Sequence, residues 1–393
     1  MNYKWLYKLY YSDKAEYEKA YMERYNGIST YRYNFKINDM PAFAVIDTHT
    51  VKMIYDILKA NEKLSDICRS LPSEALEMYK KKCLVEEVNQ TNELEGVIST
   101  RKEIADILEK KNTGDTRLTG IVNKYGMLLE DNDIPLANCN DFRTLYDELV
   151  AEEVKYNNEK DLPDGKIFRK NKVYICNNRR EIIHEGVYPE QSVIEYMNEV
   201  IAIKNNAEYV PLISIAVIHY MIGYIHPFYD GNGRFSRFLS SYLLSKNINS
   251  IISFRLAYSI KQETSSYYKM FKLTNEKINC GELTGFVIYF LELLKKKIDE
   301  LCSNFCDMAE RLKFYIAALA NFNMEDTARK ICELLIKNEL FGFCELGIKD
   351  ICVRLKKGDK AVRNAVKEAE KYGLIKVIRK RPYIYRIQLE KLM

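Results

Sequence analysis

The sequence predicts a mainly α-helical protein of two or three domains, on three observations. Apolar residues recur mostly at helical spacing. Eight prolines and sixteen glycines are few for 393 residues. A chain of that length also exceeds what one ordinary core organises. Hydrophobic residues at 47% and charged residues at 29% give the balance of a globular chain. The ten cysteines are scattered without a CxxC pair or a Cys/His cluster, and Cys302 and Cys306 share a helix face without further ligands. A disulfide framework and a zinc site are therefore not expected, and a reducing, cytoplasmic setting is. The N-terminal MNYKWLYKLYYSDK has no signal-peptide h-region or cleavage site. No apolar run reaches the length of about 18 residues that a membrane span needs.

Along the chain, Phe43 to Ile46 reads as a strand and Val51 to Asn61 as a helix. Pro72-Ser73 opens a long helix with Leu76, Tyr79, Cys83, Leu84 and Val88 on one face. It ends at Glu95-Gly96, with glycine where a helix C-terminus favours it. Residues 97 to 160 read as several helices with polar joints, one of them Asp141 to Glu153. Lys166 to Cys176 carries the clearest strand signal, basic and alternating, with Phe168 and Val173-Tyr-Ile. A loop with Gly186 and Pro189 precedes a helix from Gln191 to Ile203. Pro211 to Ile225 is apolar nearly all round, as in a helix at the centre of a bundle. Another helix is expected from about Gly233 to Lys246, and more carry the chain past Leu319.

The last seventy residues read as a different unit. Thr327 to Lys337, Gly347 to Leu355 and Lys360 to Tyr372 are three short helices. Leu374 to Ile378 and Tyr383 to Ile387 are strands joined by Arg379-Lys-Arg-Pro382, which completes the pattern of a winged helix. The formal net charge of +5 is concentrated there. From Asp350 to Met393 thirteen Lys and Arg face five Asp and Glu, leaving +8 in the tail and −3 elsewhere. Lys360, Arg363, Lys367 and Lys371 fall on one helix face, and Arg379, Lys380 and Arg381 at the hairpin tip. Together they could track DNA phosphates, or form the solvated face of a protein-docking module.

The chemistry concentrates in HPFYDGNGR, His226 to Arg234, with Arg237 following. Pro227 stops the central helix. Gly231-Asn232-Gly233 allows a left-handed turn whose N–H groups point inward, and the next helix begins there, so its positive end faces the same spot. Arg234 and Arg237, three apart, stay charged and can fork onto phosphate oxygens. Asp230 beside phosphates suggests Mg2+. His226 is the one residue of the motif that titrates near neutrality, and it suits a general base for a hydroxyl. His219 lies on nearly the same helix face as His226 and reads as structural or supporting.

HPFYDGNGRFSR resembles the signature HPF-x-(D/E)-G-N-(G/K)-R-x-x-R of the Fic family at every position. The resemblance implies a Fic-type helical bundle with a small β-hairpin flap, and transfer of AMP from ATP to a Ser, Thr or Tyr hydroxyl of a protein, releasing pyrophosphate. It implies His226 as the base and Asp230 as the Mg2+ ligand. Gly231, Asn232, Gly233 and Arg234, with Phe228, would position and neutralise the phosphates, and Arg237 would meet the γ-phosphate. Tyr267, Tyr268 and Asn275, followed by Glu276, resemble the family's adenine and ribose contacts, and Lys172 to Gly186 resembles the flap that docks the target's backbone. Self-modification and a homodimer stay open.

Thr91-Asn-Glu-Leu-Glu95-Gly96 matches the family's inhibitory motif (S/T)xxxE(G/N). Thr91 and Glu95 lie one turn apart on one helix face. The resemblance implies that Glu95 pairs with Arg237 through both oxygens, fills the γ-phosphate position and turns the α-phosphate of ATP away from attack. The chain is thus expected to divide into an N-terminal region with the inhibitory helix (1–110), a Fic core (111–305), a helical linker (306–324) and a winged-helix-like domain (325–393). Two alternatives stay open: a DNA-binding regulator whose core senses nucleotide or modifies itself, and a transferase using another nucleotide or phosphate-containing donor, or removing AMP.

Overall fold

The computed structural model describes residues 3–109, 116–176, 179 and 181–393. The expected boundary at 110/111, and positions 177, 178 and 180 of the expected flap, lie outside the described residues. The chain forms two compact units, one of Met1–Asn61 with Leu84–Ile298, the other of Glu62–Cys83 with Asp299–Met393. Helices dominate, as the apolar spacing predicts, and the strands described form small antiparallel sheets. Among the described residues no helix is long and apolar enough to cross a membrane.

The first unit is built around the helix Pro211–Ile225, whose residues Leu212 to Ile222 are all buried. Proline opens it, where its missing N–H costs nothing. The helices Glu190–Asn205 and Asn232–Ser245 pack against it. The expected strand at Phe43 to Ile46 is β2 (Met40–Val45), paired with β1 (Thr30–Ile37) across a turn with Asn38 and Asp39 in positive φ. The region expected as one helix from Asp141 to Glu153 is instead the helix Cys139–Tyr146, a π-helical turn Asp147–Ala151 and the helix Glu152–Asn158. The extra residue in a π turn rotates everything after it around the helix axis. That rotation brings Glu153, 2% exposed, into the interior.

The strand expected from Lys166 to Cys176 is not formed over most of its length. Only β3 (Tyr174–Cys176) pairs, with β4 (Ile182–Glu185). The reason lies in where the donors go. Glu190 accepts the N–H groups of Lys166, Ile167 and Phe168 at 2.8–3.0 Å. The N–H of Arg169 goes to Pro227 O, that of Lys170 to Asp164, and that of Asn171 to the Tyr229 hydroxyl. No partner strand is left a ladder to join.

In the second unit the helices Asp326–Phe341, Ile348–Leu355 and Asp359–Lys371 follow the expected order. A short strand β5 (Leu346–Gly347) joins β6 (Ile375–Lys380) and β7 (Tyr383–Ile387) in the order β5-β7-β6. Strand β6 runs two residues beyond its expected end, so Arg379 and Lys380 belong to the strand, and Arg381-Pro382 alone makes the turn. The Asp359–Lys371 helix buries Val362, Ala365, Val366 and Ala369 on one side.

Candidate active site

The site forms where the Pro211–Ile225 helix stops. His226 caps it in the left-handed region, φ 54° and ψ 61°, and its N–H returns to Ile222 O at 3.0 Å. Phe228 is fully buried and stacks on Tyr146, ring centroids 3.6 Å apart, with Phe235 and Phe168 at its edges. Its ring, expected among the cofactor contacts, is therefore a core anchor beneath the loop. The Asn232 amide closes the turn from within. Its Oδ1 accepts the Phe228 N–H at 2.9 Å, and its Nδ2 donates to Phe228 O at 2.8 Å. Asn232 thus shapes the loop rather than presenting its amide outward. Gly231 adopts φ 77°, and a Cβ there would come within 2.9 Å of Val150.

Two buried arginines line the first turn of the Asn232–Ser245 helix. Arg234 pairs with Glu153 through Nη1, and its Nη2 lies 3.6 Å from Asp230. Among the described residues, its Nε and Nη2 nevertheless have no hydrogen-bond acceptor. Unsatisfied buried donors are costly, and these two could donate to an anion's oxygens. Asp230 has 41% of its side chain exposed, and its Oδ1 accepts the Gly231 N–H at 2.5 Å. One accessible carboxylate beside an anion site fits Mg2+, which takes one or two carboxylates and completes its shell with phosphate oxygens and water.

Arg237 is held by the Ser73–Leu94 helix. Its Nε donates to Thr91 Oγ1 at 2.7 Å, and its Nη2 to Thr91 O at 3.0 Å and to Glu95 Oε1 at 2.7 Å. The expected two-oxygen fork is absent because Thr91 takes the other donor edge, leaving one carboxylate oxygen in contact. A side chain at Gly233 would run into the Glu95 carboxylate and the Arg237 guanidinium. Glu95 therefore lies against the positive end of the next helix, where an anion is favoured. Burial raises the Glu95 pKa, but the charge and hydrogen bond of Arg237 and the charge of Arg234 outweigh it, holding the carboxyl below its ordinary value. Gly96 ends the helix at φ 73° with Val97 N–H on Asn92 O and Gly96 N–H on Glu93 O, a Schellman motif.

Burial pushes the His226 imidazole down to about 4, so it is neutral at physiological pH. Its Nδ1 lies 3.4 Å from Gly223 O. A carbonyl only accepts, so Nδ1 carries the proton and Nε2 keeps a lone pair. His219 is fully buried between the Ser240 hydroxyl (2.8 Å from Nδ1) and the Tyr267 hydroxyl (2.8 Å from Nε2). Ser240 spends its own proton on Ser236 O, so His219 Nδ1–H donates to Ser240 and the Tyr267 hydroxyl donates to Nε2. Tyr267 is thus tied into the core, while Tyr268 is 47% exposed and feels the charges of Glu95 and Arg237. Asn275 accepts from the buried Tyr220 hydroxyl at 2.5 Å, and its carbonyl accepts from Asn38 in the β1–β2 turn.

Two buried residues at the site escape sequence reasoning. Glu153 reads as one charge among many in AEEVKYNNEK, and Arg169 as part of a basic surface strand. The π turn brings Glu153 inward, and main-chain carbonyls of His226, Asn171, Val187 and Ile225 receive the Arg169 guanidinium.

The fold and the loop together define a helical domain with a glycine turn at a helix start, two buried arginines on its first turn and a neutral imidazole beside it. Residues 137–244 match the model of the Fic/DOC family, and the chain carries a Fic domain. Glu95, Thr91 and Tyr267 lie outside the matched residues. The chain is similar to the protein adenylyltransferase Fic of Drosophila ananassae, 25% identical over 228 residues, which are 58% of this chain and 43% of that protein. It is similar to the protein of the same name from Drosophila persimilis, 25% identical over 256 residues, 65% of this chain and 47% of that one. The matches thus span under half the length of these relatives. A Fic family protein from Desulfovibrio desulfuricans G20 has a similar fold, with a TM-score of 0.51 at 18% identity, covering 85% of this chain and 96% of that one.

Proposed function

We propose that this protein transfers AMP from ATP to a Ser, Thr or Tyr hydroxyl of a protein, and that Glu95 restrains it. The observation that carries the reading is the one-oxygen contact of Glu95 with buried Arg237, against Gly233 at the start of the Asn232–Ser245 helix. A helix start with two arginines attracts phosphate, and here a carboxylate of the same chain takes the place of an anion. The activity in the names of the Drosophila relatives agrees with this reading.

The chemistry follows from the residues. His226 Nε2 accepts the proton of the target hydroxyl. The hydroxyl oxygen attacks the α-phosphorus, a new P–O bond forms, and the bond from the α-phosphorus to the α–β bridging oxygen breaks. Its electron pair leaves with pyrophosphate. The free Nε and Nη2 donors of Arg234 bind phosphate oxygens, and Arg237 takes the γ-phosphate once Glu95 withdraws. Mg2+ held by Asp230 and phosphate oxygens would neutralise charge on the α- and β-phosphates. Asn232 and Gly231 keep the loop in shape, and by the family resemblance Tyr267, Tyr268 and Asn275 would meet the base and sugar.

Labelled ATP tests both parts. Glu95→Gly is expected to raise transfer roughly 5- to 150-fold, the span of ordinary coupling energies. His226→Ala is expected to lower it roughly 10²- to 10⁴-fold. A Glu95→Gly protein no faster than wild type removes the brake, and a His226→Ala protein of full activity removes the base. Transfer from another labelled nucleotide in preference to ATP, or net release of AMP from a modified protein, would favour the corresponding other reaction.

A second reading concerns the second unit. We propose that the exposed side of the Asp359–Lys371 helix engages duplex DNA. Lys360, Lys367 and Lys371 are exposed there opposite the buried Val362, Ala365, Val366 and Ala369.

A further inference from the structure

Arg169 is fully buried, and among the described residues no ion pair neutralises it. Its guanidinium instead makes four hydrogen bonds, all to main-chain carbonyls. Nε donates to His226 O at 2.8 Å, and Nη1 to Asn171 O at 2.7 Å. Nη2 donates to Val187 O at 2.7 Å and to Ile225 O at 3.3 Å. Its own N–H donates to Pro227 O at 3.2 Å. One planar group therefore grips both the last carbonyls of the Pro211–Ile225 helix and the two ends of the β3–β4 hairpin. A lysine has the charge but lacks the planar fork.

The packing around this grip carries a second mark. Gly186 lies where a Cβ would come within 2.6 Å of Arg169 Nη2, 2.8 Å of Val173 and 3.1 Å of the His226 Cβ. Hairpin stem, guanidinium and imidazole backbone thus meet at one point with no room for a methyl group. Val187 N–H on Ile225 O and Gly186 N–H on Val173 O, both at 3.0 Å, close the same joint.

We propose that Arg169 is a positioning residue that locks His226 in its left-handed conformation and ties it to the stem of the β3–β4 hairpin. The proposal rests on reading His226 as the base. A non-glycine residue in the left-handed region persists only where its surroundings over-determine it, and the Arg169 grip supplies that constraint. The consequence is a mechanical link. Whatever docks along the hairpin bears on its stem, and the stem shares a guanidinium with the base. Arg169 also places a fixed positive charge beside the imidazole, which favours the neutral form. The other groups bearing on His226 are His184 of β4, which acts in the same direction, and Glu95, which opposes it.

The test uses the full chain with Arg169→Lys and Arg169→Ala, each checked for helicity by circular dichroism. In both, kcat for AMP transfer is expected to fall roughly 10- to 100-fold, as for a displaced catalytic group, with the KM for ATP within about twofold. NMR of the four histidines reads the imidazole directly. The His226 resonances are expected to move in both variants, and its pKa to rise in Arg169→Ala but not in Arg169→Lys. Arg169→Lys with wild-type kcat overturns the proposal, as does a fall in kcat matched by a rise in KM for ATP. Loss of helicity in both variants overturns it too, by making Arg169 a determinant of folding alone. If a Glu95→Gly protein transfers nothing from ATP, the reading of His226 as base fails separately. Unmoved His226 resonances in both variants would then still overturn the clamp.

Discussion

Gly96 shows how a single residue sets the end of the Ser73–Leu94 helix and with it the reach of Glu95. Its left-handed φ of 73° closes the Schellman turn, and open space surrounds it, so the backbone alone demands glycine. An alanine there would fit sterically but carry the left-handed penalty of about 1–2 kcal/mol. Gly96→Ala is therefore expected to loosen the helix end and raise basal AMP transfer a few-fold, by less than Glu95→Gly, because the carboxylate remains. A Gly96→Ala protein as tightly restrained as wild type, measured with labelled ATP, would show that the turn does not hold the brake. At Gly231 backbone and space both count, since φ 77° is joined by Val150 within contact of any Cβ. Such positions were legible as a left-handed turn in GNG. That Asn232 spends its amide on Phe228 was not, because a side-chain bond to a residue four earlier leaves no pattern in composition.

Among the elements, the Asp359–Lys371 helix separates charges that its sequence spacing groups together. Lys360, Asn364, Lys367 and Lys371 form the exposed stripe, whereas Arg363 at its edge bonds Asp359 and lies over the Tyr383 ring. Arg379 sits 3.7 Å from Glu345, an exposed contact worth little. If the stripe meets duplex phosphates, each lysine releases about one counterion, so affinity falls steeply with salt. Replacing Lys367 and Lys371 by alanine in the full chain should lower the log–log salt slope by about 2 units. Fluorescence anisotropy with a labelled duplex reads this. An unchanged slope, or no binding at low salt, would leave the face to a protein partner. The elements also show where periodicity misleads. Pro211–Ile225 was legible to the residue because apolar content, an opening proline and a closing proline agree. Lys166 to Cys176 alternated like a strand, yet Glu190 and Asp164 claim its donors, and period-2 alternation carries no information about partners.

For the whole molecule, buried imidazoles tie stability to pH. Burial, with Arg237 adding to it, pushes His219 down to about 3, and burial pushes His226 down to about 4. Below the ordinary histidine pKa of about 6.5 the unfolded chain takes up protons that these folded sites refuse. Their contribution to stability is thus intact above about 6.5 and is lost as pH falls from there toward 4 and 3. Glu87, raised to about 7 by burial although it accepts the N–H groups of Ala257 and Tyr258, acts in the opposite sense between the ordinary carboxylate value and 7. His219→Gln, which keeps a polar group for Ser240 and Tyr267, should flatten the fall of Tm between pH 7 and 5. A melting series in which the variant keeps the wild-type slope would remove His219 from that account.

What the sequence determined by itself is local: the helices whose apolar faces repeat, the turn that GNG requires, the phosphate-friendly arginines at the start of a helix, and the glutamate one turn after Thr91. Each rests on interactions between residues close in the chain, so spacing reveals it. The tertiary structure alone decided which distant groups complete them. It brought Glu95 to Arg237 through one oxygen rather than two, turned Glu153 inward through a π turn to meet Arg234, and buried Arg169 among the carbonyls that end the central helix. A buried charge takes its meaning from partners tens of residues away, and the low polarity around it makes those partners decisive.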